Sequence, residues 1–142
     1  MSVFVVDASL VVKWFIPEIY SERARRWLSA SHDYVAPDLL FSETGNVVWK
    51  KVQRKELRVD EAQQLVVDLS RVAVETVATR DLLEDALVLA LTARITVYDS
   101  MYLTLAVRLD SAVITGDERF ADKIAKHPLL APHIRRLQDF TE

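Results

Sequence analysis

The sequence has no cysteine and only two glycines among its 142 residues. Without cysteine the chain forms neither a disulfide nor a thiolate metal site, and His32, His127 and His133 lack the spacing of a zinc-binding pair on one helix. Gly45 and Gly116 are too few and too far apart to form the glycine-rich loop with which dinucleotide-binding and P-loop proteins hold phosphate. These absences argue against the common zinc sites and against two large classes of nucleotide-binding protein.

Long hydrophobic runs are also missing. The longest unbroken apolar run covers only residues 86–91, whereas a membrane-spanning helix needs about 20 apolar residues. The apolar N-terminus is interrupted by Asp7 and Lys13 and has no preceding basic region, so it predicts a strand and a helix rather than a signal peptide. We therefore expect a cytoplasmic protein without a membrane segment.

The composition is that of a globular protein, with 51% hydrophobic and 27% charged residues. A chain of 142 residues is long enough for one compact core, and we expect a single domain over residues 1–142. The net charge of -3 argues against a protein that coats nucleic acid by neutralising phosphates. It is compatible with an enzyme that places cations locally.

Short apolar runs rich in β-branched residues alternate with helical patterns along the chain. The runs predict strands at residues 3–6, 34–36, 74–77 and 112–115. Ser21 and Asp60 are predicted N-caps of two amphipathic helices, of which the first buries Ala24, Trp27 and Leu28. A third helix has a broad apolar stripe, formed by Leu82, Leu83, Ala86, Leu87, Ala90 and Leu91. This alternation predicts an α/β fold, in which helices cover both faces of a parallel sheet.

Two acids follow predicted strands directly. Asp7 ends the strand in VVDAS, and Asp117 comes just after the strand in AVITGD, two residues beyond Thr115. Each has a simpler explanation, since Asp7 or Ser9 can cap the next helix and Asp117 can belong to a Gly-Asp turn. However, ligands of open α/β sheets bind beyond the carboxyl ends of the strands, where both acids are placed.

Two further acids lie in predicted helices. Glu43 occurs early in a long helix within PDLLFSETGNVVWKK, with Asn46 and Lys50 on the same face. Asp99 opens the helix DSMYLTLAVRL, where it can also be an N-cap. If the four acids share one crevice, their mutual repulsion raises their proton affinities unless a cation neutralises them. Oxygen ligands without cysteine or histidine favour Mg²⁺ or Mn²⁺.

The motifs VVDASLVVKWF, VAPDLLFSETGNVVWKK, YDSMYLTLA and VITGDERF, in this order and spacing, resemble those of PIN-domain ribonucleases. The resemblance is to VapC-type toxins of toxin-antitoxin pairs. It implies a parallel sheet of about five strands and metal-assisted hydrolysis of RNA phosphodiesters. By resemblance, the catalytic acids are Asp7, Glu43, Asp99 and Asp117.

The resemblance also implies a cofactor and partners. Asp7, Asp99 and Asp117 are the expected ligands of Mg²⁺ (or Mn²⁺), while Glu43 binds a second ion or orients the attacking water. Supporting roles are expected for the polar residues Ser9, Asn46 and Thr115. The expected partners are the RNA substrate, a cognate VapB-like antitoxin and a second copy of the chain in a homodimer.

Two other features bear on binding. The segment WKKVQRKELR predicts a cationic helix flank that contacts RNA or is simply a solvated surface, with the basic residues Lys50, Lys51, Arg54, Lys55 and Arg58. The apolar residues Trp14, Phe15 and Ile16 are either core or an apolar groove for a partner helix. In the VapC resemblance an antitoxin segment occupies such a groove.

Three alternatives stay open at this point. The first is a PIN-like nuclease that processes RNA outside a toxin-antitoxin pair. The second is a receiver domain, whose strand-end aspartate accepts a phosphoryl group, although Glu43 lies within a helix and no lysine after Thr115 is placed to contact that group. The third is a non-catalytic interaction subunit whose acids are only helix caps.

Overall fold

The structure is a computed structural model that describes residues 2–17, 21–29 and 32–139. Five parallel strands form one sheet in the order β3-β2-β1-β4-β5. The strands are β1 (Val3–Val6), β2 (Asp33–Pro37), β3 (Glu75–Val77), β4 (Val113–Thr115) and β5 (Ile134–Arg136). The predicted α/β class with a parallel sheet is therefore confirmed. The short strand β5 was not predicted, because two of its three residues are arginines.

Seven helices connect the strands of the described chain. They are α1 (Ala8–Phe15), α2 (Ser21–Ser29), α3 (Leu39–Gln53), α4 (Val59–Leu69), α5 (Thr79–Ala93), α6 (Val97–Arg108) and α7 (Glu118–Ala125). The connections from β1 through β2 to β3 run in one direction, and those from β3 through β4 to β5 run in the other. Because crossovers are right-handed, this reversal places helices on both faces of the sheet. The strand order therefore reverses between the neighbouring strands β1 and β4.

The centre of the sheet carries the hydrophobic core. In β1 the residues Phe4, Val5 and Val6 are all buried, as expected for a strand covered on both faces. The same core includes Trp27, Leu40, Leu103 and Ile114, which are buried in helices and strands on either side. The edge strand β3 is mostly exposed. Because β1 and β4 lie in this core, tight packing fixes the positions at which the two strands end.

Several predicted helix details are corrected by the structure. Asp60 is not the N-cap of α4, because the helix follows Arg58 and Asp60 forms an ion pair with Arg58 (Oδ1 to Nε, 3.1 Å). Ser21 is the first residue of α2, and its hydroxyl donates to the Ile16 carbonyl. The side chain of Leu28, predicted to be buried, lies outside the described residues.

The apolar stripe of α5 is narrower than predicted. Only Leu82, Ala86 and Ala90 are buried, while Leu83, Leu87 and Leu91 are exposed.

In the described part of the chain no single helix is long and apolar enough to cross a membrane. Helices α5 and α6 have the required length and composition only when they are taken together, and they are bent by 108° relative to each other.

Candidate active site

Asp7 and Asp117 meet at the carboxyl edge of the sheet, at the point where the strand order reverses. Val6 of β1 is in register with Ile114 of the neighbouring β4, so the residues that follow the two strands come side by side. In open α/β sheets this crevice is the usual ligand site. The predicted convergence of these two acids therefore follows from the strand pairing.

Asp7 is the N-cap of α1 and is only 8% exposed. Its Oδ1 accepts hydrogen bonds from the Ser9 hydroxyl (2.6 Å) and the Leu10 N–H (3.1 Å). Burial raises the pKa of Asp7 to about 6, against the lowering effect of the hydroxyls of Ser9 and Thr115 and of the Leu10 N–H, and the charge of Asp117 adds to the rise. These hydrogen bonds thus hold the carboxyl group in place, but they do not fully offset the effect of burial on its pKa.

Ser9 joins α1 to β4. Its Oγ accepts a hydrogen bond from the Gly116 N–H (2.8 Å) and lies 3.3 Å from the Thr115 Oγ1. The Asp117 N–H in turn donates to the Thr115 hydroxyl (3.0 Å). The predicted supporting residues Ser9 and Thr115 therefore form one network with Asp7, which fixes the two strand ends relative to each other.

Asp117 and Asp99 enter the site from two helices. Asp117 is the N-cap of α7, where its Oδ1 accepts from the Phe120 N–H (3.1 Å), and its side chain is exposed. Asp99 lies in the first turn of α6 but is not its cap, because the N-cap is Thr96, whose hydroxyl accepts from the Asp99 N–H (3.1 Å). Asp117 is thus a helix cap, which its explanation by a Gly-Asp turn did not include, and the N-cap predicted at Asp99 is wrong.

The pKa of Asp99 shows that this residue interacts electrostatically with the other acids. Burial raises its pKa to about 6, and the charges of Asp117 and then Glu43 add to the rise. Lys123 and the Thr96 hydroxyl lower it, by less. The repulsion predicted from the sequence is therefore present at Asp99, where it adds to the larger effect of burial.

Glu43, on α3, is held by a residue that the sequence analysis missed. The phenol of Tyr102, on α6, donates a hydrogen bond to Glu43 Oε1. Burial raises the pKa of Glu43 while this hydrogen bond lowers it. Tyr102 is 2% exposed, and its own pKa is raised by burial and by the charges of Glu43, Asp7 and Asp99. Tyr102 therefore stays protonated and lies among three of the four acids.

The spacing of three residues between Asp99 and Tyr102, which places both on one face of α6, is the local signal that could have indicated Tyr102.

Asn46, predicted to support Glu43, lies one helical turn after Glu43 on α3 and is exposed. Within the described chain Glu43 accepts its hydrogen bond from Tyr102 and none from Asn46. The role of Asn46 stays a prediction.

The donor set suits a hard divalent cation. Four carboxylates and two hydroxyls, without cysteine or histidine, are the ligands that Mg²⁺ and Mn²⁺ prefer. The pKa values of Asp7 and Asp99 stay raised because burial outweighs the groups that lower them, including the charge of Lys123 at Asp99. In the described residues no three acidic, histidine or cysteine side chains stand close enough to surround one ion directly. Mg²⁺ usually binds one or two carboxylates and keeps several waters, so this spacing fits it.

The predicted cationic flank does not lie on one helix. α3 ends at Gln53, Arg54 is its C-cap, and Lys55 lies in a turn with a φ of 61°. Lys51 pairs with Glu56 (3.4 Å), and Arg58 pairs with Asp60 and Glu61. The helical spacing assumed for these residues was therefore wrong. RNA contact by Lys50, Lys51, Arg54, Lys55 and Arg58 stays a prediction.

The apolar residues at the C-terminal end of α1 are mostly buried and form one side of a groove. Trp14 is core, 5% exposed, and its indole N–H donates to the Ala24 carbonyl (2.7 Å). Phe15 and Ile16 line a groove of about 470 Å³ that is completed by the apolar residues Leu57 and Leu65. Its other side is polar and acidic, with Asp60, Glu61, Gln64 and Asp68.

Comparison with known proteins places this geometry in a family. Residues 4–126 match the PIN domain. Over 121 residues the chain is 36% identical to Ribonuclease VapC3 of Pyrobaculum aerophilum. The alignment covers 84% of this chain and 92% of that protein. The chain is a PIN-domain protein of the VapC type. The resemblance drawn from the four motifs is thereby confirmed.

Two solved structures share the PIN fold. PAE2754 of Pyrobaculum aerophilum superposes with a TM-score of 0.65 at 20% identity, covering 97% of this chain and 93% of that one. VapC20 of Mycobacterium tuberculosis, described as a toxin that cleaves the sarcin-ricin loop, superposes with a TM-score of 0.64 at 14% identity. That alignment covers 84% of this chain and 93% of VapC20. At these identities the likeness concerns the fold.

Proposed function

We propose that this VapC-type PIN-domain protein is a divalent-metal-dependent endoribonuclease and the toxin of a toxin-antitoxin pair, acting as a single domain. The predicted enzyme class, a nuclease, is confirmed by the PIN-domain match and by the 36% identity to a ribonuclease. The observation that supports the proposal for this chain is that the four acids influence one another, since the charge of Asp117 raises the pKa values of Asp7 and Asp99 and the charge of Glu43 raises that of Asp99. A receiver or a non-catalytic subunit is not favoured by any of these contacts.

Asp7, Asp99 and Asp117 would hold the ion, and Glu43 would bind a second ion or orient the attacking water. When bound there, Mg²⁺ or Mn²⁺ acidifies a water molecule and stabilises negative charge on the phosphate and on the leaving oxygen. Ser9 and Thr115 keep the Asp7 carboxylate in a fixed orientation, and Tyr102 does so for Glu43. Because water is the nucleophile, no side chain needs to attack the RNA.

The partners follow from two surfaces. The groove lined by Phe15, Ile16 and Leu65 would bind an antitoxin helix, VapB-like by resemblance, whose apolar side chains are flanked by cations that match the acidic side of the groove. The exposed leucines of α5, at positions 83, 87 and 91, would contact a second copy of the chain in a homodimer. We place the protein in the cytoplasm, where RNA is available.

The activity itself is tested by incubating the purified protein with pooled cellular RNA. We expect discrete cleavage products with Mg²⁺ or Mn²⁺, none after chelation, and recovery when the ion is restored. Mapping the product ends would identify the cleaved sequence. RNA that stays intact under all metal conditions would contradict the proposed function. Inhibition by a co-expressed small protein encoded next to it would separate a toxin from an RNA-processing enzyme.

Replacing Tyr102 with phenylalanine is expected to slow RNA cleavage about 10–100-fold, the usual effect of removing a group that orients a metal ligand. The ring still fills its buried position, so the melting temperature should change little. Tyr98→Phe is the matched control, because Tyr98 lies one turn earlier on α6 and is 62% exposed. Tyr102→Phe should add nothing in a Glu43→Ala background, since alanine has no oxygen to accept the hydrogen bond from Tyr102. Full additivity of the two changes would show that Tyr102 does not act through Glu43.

A further inference from the structure

A cavity of about 370 Å³ adjoins the acidic site beside Asp99 and Asp117. Three cationic residues, Arg94, Arg119 and Lys123, line the same cavity. A single bound molecule could therefore contact these basic groups and the two acids, which are proposed to bind the metal ion. None of these three residues belongs to the cationic flank predicted from the sequence.

The arginines of this cavity are not engaged by the acids next to them. In the described part of the chain, the guanidinium groups of Arg94 and Arg119 form no ion pair and no hydrogen bond, although carboxylates line the same cavity. Four other arginines do pair with carboxylates, namely Arg26, Arg58, Arg108 and Arg136. Cations and acids therefore stand side by side with their charges available to ligands of opposite sign.

The position of Arg94 is fixed by the fold. It ends α5 in the left-handed conformation, with φ 57° and ψ 46°, which favours glycine or asparagine over arginine. The Lys123 ammonium donates to the Arg94 carbonyl (3.0 Å) and ties this helix end to α7. The backbone of Arg94 is therefore held both by the end of α5 and by the contact with α7.

We propose that this cavity binds a phosphate of the RNA strand next to the phosphate that is cleaved. The guanidinium groups of Arg94 and Arg119 would donate to the phosphate oxygens, and the charge of Lys123 would add to the attraction. The acids would meanwhile keep the divalent ion, so anion and cation would be bound side by side without competing. This inference rests on the proposed ribonuclease function and extends it to how the strand is positioned.

The test measures binding of a single-stranded RNA oligonucleotide by fluorescence anisotropy at several salt concentrations. The parent protein carries Asp7→Asn, so that the RNA stays intact. The variants are Arg94→Asn, which suits the left-handed backbone, Arg119→Gln, and both together. Arg71→Gln is the matched control, because Arg71 is exposed and precedes β3, at the opposite edge of the sheet.

We expect the slope of log affinity against log salt to flatten by about 0.7 in the double variant, which loses the one phosphate contact, and by less in each single variant. The control should keep the parental slope. The Mn²⁺ affinity of the arginine variants, measured by calorimetry in proteins that retain Asp7, should be unchanged or higher than that of the wild type. Slopes equal to that of Arg71→Gln would overturn this inference alone. So would weaker Mn²⁺ binding, because the arginines would then be organising the acids. A parent that binds no RNA, with a wild type that cleaves none, would overturn the proposed function itself.

Discussion

Replacing Asp7 with asparagine is expected to abolish RNA cleavage and, in the absence of metal, to make the folded protein more stable above pH 6. Asparagine has nearly the same shape, and its carbonyl oxygen can still accept from the Ser9 hydroxyl and the Leu10 N–H. It lacks the negative charge that the ion requires. Loss of a direct ligand should exceed the roughly 10–100-fold effect of changing a group that only orients one.

The gain in stability follows from the pKa of Asp7. In the folded protein it is about 6, against a usual value of 3.8, so between these two values the folded state binds more protons than the unfolded state. The free energy of unfolding therefore falls as pH rises from about 4 to 6, by about 3 kcal/mol in total, and the loss is complete above pH 6. Asparagine does not titrate, so the variant should escape this loss.

Urea denaturation of both proteins without metal, at several pH values between 4 and 8, checks the prediction. The difference between the two curves isolates Asp7, because Asp99 titrates in both. A variant that cleaves RNA at the wild-type rate would show that Asp7 serves only as a helix cap. A difference in stability that does not depend on pH would show that Asp7 is not buried as a charge.

Local patterns predicted the strand ends well because the core strands have few alternatives. A run rich in β-branched residues such as residues 3–6 favours a strand, here buried at all but its first residue, and the acid that follows it then lies at the edge of the sheet. Asp7 and Asp117 are helix caps in the structure, and this role leaves each of them able to bind an ion as well. The two explanations were treated as competing, although a cap needs only one carboxylate oxygen.

Contacts between distant segments were not predictable in the same way. Tyr102 meets Glu43 across 59 positions of sequence, through the packing of α6 near α3, and no local spacing indicates that pairing. Arg94 and Arg119 are 25 positions apart in the sequence, and no local spacing indicates that they line one cavity. The end of α3 was missed because the turn contains neither glycine nor proline and uses Lys55 in the left-handed conformation instead.

Binding of Mn²⁺ is expected to stabilise the wild-type protein strongly and to weaken below pH 6. Asp7 and Asp99 both have pKa values of about 6 without metal, so protons compete with the ion at these two carboxyl groups below that pH. Affinity should fall by about tenfold per pH unit for each proton that the ion displaces. At pH 7.5, Mn²⁺ at about 100 times its Kd should add about 2.7 kcal/mol to the free energy of unfolding.

Calorimetric titration at pH 5, 6 and 7.5, together with melting curves at each pH, measures both effects without relying on RNA cleavage. Asp7→Asn is the internal control, because it removes one of the two titrating groups and should reduce both the affinity and its dependence on pH. Asp110→Asn is a second control, since Asp110 lies after α6 near the start of β4, at the opposite edge of the sheet. Mn²⁺ affinity that stays constant from pH 5 to 7.5 would mean that the ion binds elsewhere, because any site built on Asp7 and Asp99 must release their protons when it fills.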